Sequence, residues 1–152
     1  MIVYRLSKEK YAGDLSGKGA ELSGGRWNHK GTKVLYTSDS RALCTAEIAV
    51  HCSMGNIPHD YFMISIEIPD DITVQEIKVG SLPKSWKSFP YAGSTQKIGD
   101  EFIKENRLLI LKVPSAVVQG DHNYLINPAH EDFQKIKITG KERFVFDQRL
   151  FR

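Results

Sequence analysis

The chain has 152 residues, of which 41% are hydrophobic and 26% are charged, and its formal net charge is +3 at pH 7. This length predicts a single domain over residues 1–152, with enough chain for one sizeable core. No segment approaches the roughly 18 apolar residues of a membrane helix, and the N-terminus lacks a signal-peptide hydrophobic region. We therefore expect a cytoplasmic protein with no membrane partner, and the modest charge does not favour direct nucleic-acid binding.

The first half of the chain predicts two strands and one helix around a long polar segment. A short strand is expected at residues 1–6. Residues 7–33 are rich in Gly, Ser and Lys and predict an extended loop. Residues 34–38 predict a buried strand. A helix capped by Ser40 or the preceding aspartate then runs to about Cys52.

The second half predicts more strands than helices. Residues 61–68 alternate between faces, which favours a strand. The segment 108–113 is apolar except for Lys112 and predicts a strand buried on both faces. A helix is expected from Ser94 or Thr95 to about Asn106. Further short strands are expected at residues 72–79, 124–127, 136–139 and 143–146, with Gly140 as a turn between the last two. Strands and helices do not alternate regularly, so the sequence predicts an α+β fold with a largely antiparallel or mixed sheet.

The segment Gly24-Gly25-Arg26-Trp27-Asn28 is the most informative feature of the sequence. Two glycines permit a backbone conformation that is closed to other residues, and the planar guanidinium that follows suits phosphate oxygens. The tryptophan offers a stacking surface or an anchor. Tyr36 follows in a predicted strand and Glu47 in a predicted helix. This combination suits a site for an anionic ligand that contains a sugar.

Glu47 is the exception on an otherwise apolar helical face. It shares the i, i+3, i+4, i+7 positions with Leu43, Ala46 and Val50. Two interpretations are open at this point. Glu47 and Arg26 form a buried ion pair, or they belong to a catalytic site.

Cleavage of a glycosidic bond would suit the catalytic interpretation. Such a reaction passes through an oxocarbenium-like transition state, which a nearby carboxylate stabilises. A leaving group that is already cationic, such as the nicotinamide of NAD, needs no general acid, so one carboxylate suffices. Glu47 would supply the carboxylate and Arg26 would bind the pyrophosphate. Tyr36 or Trp27 would face the nicotinamide ring, or else these two aromatic residues belong to the core and anchor the loop.

Other chemistries lack their residues in this sequence. No P-loop, complete G-x-G-x-x-G fingerprint or G-x-S-x-G elbow is present. Cys44 and Cys52 are eight residues apart, which matches no zinc spacing and predicts reduced, buried thiols; no metal is expected. The segment 135–152 holds six Lys or Arg residues against two acids, which predicts either a solvated edge or a docking surface for an acidic partner.

Six pieces of the chain, in order, resemble the RES-domain toxins of RES–Xre toxin–antitoxin modules, a family named for a characteristic Arg, Glu and Ser. The pieces are Tyr4-Arg5, Gly24-Gly25-Arg26-Trp27-Asn28, Val34-Leu35-Tyr36-Thr37-Ser38, Ala46-Glu47, Val113-Pro114-Ser115-Ala116-Val117-Val118 and Asn123-Tyr124-Leu125-Ile126-Asn127-Pro128. The region from Ile72 to Asn106 matches least and is expected to be scaffold.

The resemblance implies a fold similar to that of ADP-ribosyltransferases, with split antiparallel or mixed β-sheets, short flanking helices and NAD in the cleft between the sheets. The implied catalytic residues are Arg26, Tyr36, Glu47 and Ser115. The implied NAD-binding residues are Arg5, Arg26, Trp27, Tyr36 and Asn123.

The resemblance also implies a function. The chain would be a toxin that cleaves the nicotinamide–ribose bond of NAD, by hydrolysis or phosphorolysis, and so arrests growth. Its implied partners are a cognate Xre-type antitoxin with a helix-turn-helix domain and a second copy of the chain in a homodimer within the complex. An ADP-ribosyltransferase that modifies a host protein stays open, as does a toxin that does not use NAD, either a ribonuclease or a binding module.

Overall fold

A computed structural model of the chain describes residues 1–53 and 55–151. Within these residues there are seven β-strands, namely β1 Ile2–Lys8, β2 Leu35–Ser38, β3 Tyr61–Glu67, β4 Val74–Glu76, β5 Ile110–Pro114, β6 His122–Ile126 and β7 Lys137–Phe144. The α-helices are α1 Lys18–Ser23, α2 Arg41–Ala49 and α3 Gly93–Glu105. Short 3₁₀ turns cover Glu9–Tyr11, Val79–Ser81, Lys84–Lys87, Glu131–Lys135 and Gln148–Phe151. None of these described helices has both the length and the apolar character needed to cross a bilayer.

The seven strands form one mixed sheet in the order β4-β5-β6-β2-β1-β3-β7. The β4–β5 pair is parallel, and the other described pairs are antiparallel. A single registered pair, Tyr4 with Ser38, joins β1 to β2. By contrast, β1 is paired with β3 along its whole length, from Ile2 to Lys8. The predicted α+β class is confirmed, and the sheet consists of two parts with a narrow connection between them.

Hydrophobic residues cover both faces of the sheet. On β5, Ile110 belongs to one buried cluster and Leu111 to the other. Successive side chains of a strand point to opposite faces, so β5 is buried on both sides, as the largely apolar segment 108–113 predicted. Ile64 and Ile66 on β3, and Ile68 just after it, are fully buried in the first cluster.

Helix α3 covers the second face of the sheet and anchors the loop that carries Trp27. Its Phe102 shares a buried cluster with Trp27, whose ring centroid lies 6.3 Å from that of Trp86. A Cβ atom at Gly99 would lie 1.7 Å from the Trp27 carbonyl oxygen. The contact between this helix and the loop therefore requires glycine at position 99.

The segment 7–33 is more regular than the sequence predicted. It includes the end of β1, a 3₁₀ turn and helix α1. The six residues of α1 lie between Gly17 and Gly24, which have φ angles of 76° and 71°. Glycines on both sides are typical of loops, and they hid a helix this short. The prediction of one extended loop was therefore wrong.

Gly140 lies inside a strand and does not form a turn. Strand β7 continues through it, and Gly140 is paired with Ser65. The register shifts between Ser65 and Ile66, which marks a β-bulge. A glycine within a strand often accompanies such an irregularity. The prediction of two short strands joined at this glycine was therefore wrong.

The basic segment 135–152 forms one edge of the sheet. Strand β7 is the last in the strand order. Three exposed cations lie on it, Lys137, Lys141 and Arg143. Charged side chains on an outer strand discourage pairing with another chain, which favours the solvated-edge interpretation. Arg152, at the end of this segment, lies outside the described residues.

Helix α2 begins where the sequence predicted and ends earlier. The Ser40 Oγ accepts a hydrogen bond from the Leu43 N–H at 3.0 Å, which is N-cap geometry. The helix ends at Ala49, so Cys52 lies beyond it. Both thiols are free; Cys44 is buried and Cys52 is half-buried. The prediction of two buried helical thiols is right for Cys44 and wrong for Cys52.

Replacement of Gly99 by alanine tests the contact between α3 and the Trp27 loop. The added methyl must displace the backbone, so we expect Gly99→Ala to lower the free energy of unfolding by about 1–3 kcal/mol. Gly93→Ala, at the start of the same helix, is the matched control, because nothing lies within 4 Å of its added Cβ. Urea unfolding followed by tryptophan fluorescence measures both variants. Equal stability of the two would contradict the contact.

Candidate active site

Residues 24–28 form a tight turn that presents Arg26 to a cleft. The Gly25 N–H donates to the Asn28 carbonyl at 3.0 Å, and the two residues form an isolated bridge. The positive φ of Gly24 is a conformation that residues with side chains rarely adopt. A Cβ atom on Gly25 would lie 2.7 Å from the Tyr36 hydroxyl oxygen. Glycine is thus required at position 24 by the backbone conformation, and at position 25 by the close approach of the Tyr36 hydroxyl.

The Tyr36 hydroxyl holds this turn together. It donates to Asn28 Oδ1 at 2.7 Å and accepts from the Trp27 N–H at 3.0 Å. Burial raises the pKa of Tyr36 far above its ordinary value, although the Trp27 N–H acts in the opposite direction. The phenol therefore stays neutral. Its hydroxyl is committed to the turn, while its ring forms part of the cleft wall.

Asn28 is a buried centre of hydrogen bonds beside Tyr36. Its Nδ2 donates at 2.9 to 3.2 Å to the carbonyl oxygens of Ala20, His29 and Thr32. A buried amide is stable only when its donors and acceptors have partners. Asn28 therefore fixes the shape of the turn, a role that the sequence analysis did not assign to it.

Helix α3 holds the turn from the other side. Gln96 Nε2 donates to two carbonyl oxygens of the turn at 3.0 and 3.2 Å. Asp100 accepts from the His29 N–H at 3.0 Å, and its second oxygen lies 2.5 Å from His29 Nδ1. Gln96, Gly99 and Asp100 stand at positions i, i+3 and i+4 of α3, so they share one helical face. That spacing is visible in the sequence, but the sequence does not show what this helical face contacts, and the expectation of mere scaffold is wrong here.

Arg26 is held by the segment that precedes α3. Its Nη1 donates to the carbonyl oxygens of Trp86 at 2.9 Å and Ser88 at 3.0 Å. Its guanidinium carbon lies 5.1 Å from the centroid of the Tyr91 ring. Its Nε and Nη2 donate no hydrogen bond to the described residues and are available to a ligand. Arg26 does not pair with Glu47, so the interpretation of a buried ion pair does not hold in this structure.

Glu47, on α2, is oriented by side chains from outside its helix. Its Oε1 accepts hydrogen bonds from Ser115 Oγ at 2.9 Å and from Asn123 Nδ2 at 2.8 Å. Ser38 Oγ donates to Asn123 Oδ1 at 2.9 Å, and this bond fixes the orientation of the amide. No donor from the part of the chain that the structure describes reaches Glu47 Oε2. One carboxylate oxygen is therefore held and the other is free.

Ser115 lies behind Glu47 and is only 2% exposed. Its Oγ accepts from the Val117 and Val118 N–H groups at 3.1 and 3.0 Å. The neighbouring Val117 lines the cleft, whereas Ser115 does not. The same hydroxyl thus stabilises a turn and orients the carboxylate. Ser115 is a positioning residue in this geometry. It contacts the Glu47 carboxylate, which lines the cleft, and does not line the cleft itself.

Arg5, on β1, brings a second cation to the site. It lines the cleft and also a smaller adjoining pocket of about 200 Å³. Burial lowers the pKa of its guanidinium, while Asp14 and Cys44 raise it. The group stays charged at neutral pH, because arginine is not deprotonated in proteins. No carboxylate of the described chain forms an ion pair with Arg5, which leaves its charge available to an anion.

The predicted residues surround one cleft with a volume of about 580 Å³. Such a volume is typical of small-molecule sites. The predicted residues that line it are Arg5, Arg26, Trp27, Tyr36, Glu47 and Asn123. Trp27 is 2% exposed and packs on Trp86, so most of its surface serves as an anchor. The cleft thus brings together every candidate except Ser115, which acts from behind it.

Other residues of the cleft were not predicted as ligand contacts. They are Val50, His51, Tyr61 and Tyr91, among others. Val50 is 58% exposed, so the end of the supposed apolar stripe on α2 faces the cleft and not the core. Burial raises the pKa of Cys44, in the adjoining pocket, to about 11, so its thiol stays protonated at neutral pH. The described residues include no group of three or more His, Cys, Asp or Glu placed to hold a metal ion.

Replacement of Tyr36 by phenylalanine tests the bond that holds the turn. The variant leaves the Trp27 N–H and Asn28 Oδ1 without their partner, so we expect Tyr36→Phe to lower the free energy of unfolding by about 1–3 kcal/mol. Tyr11→Phe is the control, because Tyr11 is 49% exposed and its hydroxyl makes no such contacts. Denaturant unfolding measures both. A similar small change in the two variants would show that the hydroxyl does not stabilise the turn.

Comparison with known proteins supports a family assignment. The model of the RES domain matches residues 2–147. The chain is 36% identical to the Prs ADP-ribosylating toxin of Sphingobium sp. (strain YBL2), over 93% of this chain and 89% of that protein. It is 35% identical to Toxin Res of Yersinia enterocolitica, over 99% of both chains. It is 36% identical to Toxin Res of Pseudomonas putida, over 99% of this chain and 100% of that protein.

The fold also has a solved counterpart. It is similar to a chain in the crystal structure of the M. tuberculosis MbcT–MbcA toxin–antitoxin complex, with a TM-score of 0.73 and 17% sequence identity. The similarity covers 99% of this chain and 86% of that chain. At this identity it establishes the architecture alone. The match over residues 2–147 and the relatives of similar length establish the family, and the chain belongs to the RES domain family.

Proposed function

We propose that this chain is the toxin of a toxin–antitoxin module and that it cleaves the nicotinamide–ribose bond of NAD. The observation that supports this most is the state of Glu47. Its Oε1 is held by Ser115 and Asn123, its Oε2 has no donor among the described residues, and Glu47 lines a cleft of suitable size. The relatives of 35–36% identity are themselves named as toxins.

The proposed chemistry needs one oriented carboxylate. As the bond between the ribose C1′ and the nicotinamide nitrogen breaks, its electron pair moves to the nitrogen and positive charge develops on the ribose. Glu47 stabilises that charge, and it needs no reorganisation because two hydrogen bonds already fix it. An acceptor then forms a bond to C1′ and loses its proton to solvent. Ser115 and Asn123 act in this scheme by positioning the carboxylate.

The two arginines of the cleft are assigned to the pyrophosphate. Arg5 has no ion-pair partner among the described residues, and Arg26 keeps Nε and Nη2 available. Guanidinium groups match phosphate oxygens in charge and geometry. Arg26 is held in place by two neutral carbonyl groups, so its charge is not cancelled before a ligand binds. In this assignment Asn123 also borders the ribose, and Trp27 and Tyr36 support the turn that carries Arg26.

The acceptor defines two candidate reactions. Transfer to water or inorganic phosphate degrades NAD, by hydrolysis or phosphorolysis. Transfer to a side chain of another protein is ADP-ribosylation, and the 36% identical relative named the Prs ADP-ribosylating toxin favours this second candidate. Both reactions use the same carboxylate and release nicotinamide. They differ in whether ADP-ribose becomes attached to a protein.

Replacement of Glu47 by glutamine tests the shared step. We expect Glu47→Gln to slow nicotinamide release by about 10²–10³-fold, the usual loss when one electrostatic stabiliser is removed. Glu101→Gln is the matched control, since Glu101 lies on the surface of α3 and is 56% exposed. Mass analysis of the products, with and without phosphate and with and without a cell extract, identifies the acceptor. Near wild-type release by a folded Glu47→Gln protein would overturn the proposed function.

We also propose a protein partner that controls the enzyme. It would be an Xre-type antitoxin with a helix-turn-helix domain, bound to a homodimer of this chain in the cytoplasm. The architecture shared with a chain of a toxin–antitoxin complex supports a partner of this kind. Arg5 and Arg26 would attract a carboxylate from the partner's terminal segment, in place of the anionic substrate.

Inhibition kinetics test this form of control. A partner segment that occupies the cleft should inhibit competitively with NAD, because both would contact the same two cations. Removal of the partner's terminal residues should restore NAD cleavage even where binding persists. Cleavage rates measured with the intact and truncated partners over a range of NAD concentrations distinguish the cases. Full inhibition by the truncated partner would contradict occupation of the cleft.

A further inference from the structure

An exposed aromatic cluster lies at the mouth of the cleft. The rings of Phe89 and Tyr91 meet edge to face, with centroids 5.3 Å apart and an interplanar angle of 88°. The centroids of Phe89 and His51 are 6.5 Å apart. Phe89 is 73% exposed, so it contributes little to the core. Tyr91 and His51 line the cleft, whereas Phe89 stands just outside it.

Tyr91 connects this cluster to the charged part of the site. The Arg26 guanidinium lies over its ring, 5.1 Å from the centroid. Burial raises the pKa of Tyr91, Arg26 lowers it and Glu47 raises it, so the Tyr91 hydroxyl lies within the electrostatic field of both groups. Contacts therefore lead from Arg26 to Tyr91, and from Tyr91 to Phe89 outside the cleft.

The two aromatic residues that the sequence suggested for ring binding are already engaged. Tyr36 uses its hydroxyl in two hydrogen bonds within the turn. Trp27 is 2% exposed and packs on Trp86. The Tyr36 ring lines the wall of the cleft and Trp27 has almost no exposed surface, whereas Phe89 is largely exposed. A planar ring of the substrate that extends out of the cleft would meet Tyr91 and Phe89.

We infer that Tyr91 and Phe89 form the binding site for the adenine ring of NAD, an inference that rests on the proposed function. The order of groups along NAD is nicotinamide, ribose, pyrophosphate, ribose and adenine. Glu47 is assigned to the first ribose and Arg26 to the pyrophosphate, and Arg26 is in contact with Tyr91. The aromatic cluster is next in this series, where adenine would follow. Stacking of a base on aromatic side chains needs no hydrogen-bond pattern and is effective at exposed positions.

The experiment compares two substrates that share the scissile bond. Nicotinamide mononucleotide contains that bond but lacks adenine. We expect Tyr91→Leu to raise KM for NAD about tenfold, which corresponds to about 1.4 kcal/mol. The kcat/KM for nicotinamide mononucleotide should fall by a clearly smaller factor than the kcat/KM for NAD. Tyr91→Phe should retain wild-type KM because it keeps the ring, and Phe89→Ala should raise KM by a smaller factor of about three.

Tyr11→Ala is the matched control, because it removes an exposed aromatic side chain that does not line the cleft. Equal losses with both substrates would overturn the inference and show that Tyr91 acts by positioning Arg26. Unchanged KM for NAD in the Tyr91→Leu and Phe89→Ala variants would also overturn it, and would leave the cluster to another occupant such as a protein partner. Thermal unfolding of each variant shows that the protein is folded when it is assayed.

A binding measurement separates this inference from the proposed function. Calorimetric titration with ADP-ribose, which carries adenine but no nicotinamide, needs no catalysis. We expect Tyr91→Leu to raise Kd for ADP-ribose about tenfold over the wild-type chain. If the wild-type chain binds ADP-ribose and cleaves no NAD, the proposed reaction fails while the effect of Tyr91→Leu still decides the adenine site. If the wild-type chain binds no ADP-ribose, the adenine site is overturned.

Discussion

The shape of the cleft depends on the hydroxyl group of one half-buried tyrosine. Tyr36 lies on β2, and its hydroxyl joins that strand to the turn through Asn28 and the backbone of Trp27. The same turn presents Arg26 to the cleft and fixes Trp27 against α3. A cooperative polar network of this kind is costly to leave partly satisfied. The Tyr36 hydroxyl therefore stabilises both the position of Arg26 in the site and the packing of Trp27 in the core.

The charged groups of the cleft are kept apart from one another. Arg26 is held by neutral carbonyl oxygens, and Glu47 is held by neutral donors from Ser115 and Asn123. A direct ion pair would have cancelled both charges before any ligand arrived. Neutral partners hold each group in place and leave its charge to act on a ligand. Glu47 follows the same arrangement, because only one of its two oxygens accepts hydrogen bonds from the described residues.

Local patterns predicted those features that depend on local chemistry. The cap at Ser40, the double burial of β5 and the choice of Arg26 and Glu47 followed from spacing and residue type, and the family resemblance added Ser115 and Asn123 as candidates. Features that depend on distant packing were missed. The face of α3 that grips the turn, and Tyr91, lie in a region with weak resemblance, and nothing within that region reveals what it touches. Helix α1 was not predicted because glycines, which are typical of loops, flank it on both sides. Gly140 was predicted to be a turn, but it lies next to a β-bulge within a continuous strand.

The hydrogen bonds that orient Glu47 also set a condition on when the site can exist during synthesis. Its partners Ser115 and Asn123 are 68 and 76 residues further along the chain. Contacts of such separation form only after the intervening segments are closed into loops. A ribosome must therefore complete about four fifths of the protein before the carboxylate acquires its two donors. Under the proposed function, incomplete nascent chains would lack an oriented carboxylate, and toxicity would begin only with nearly full-length, folded protein.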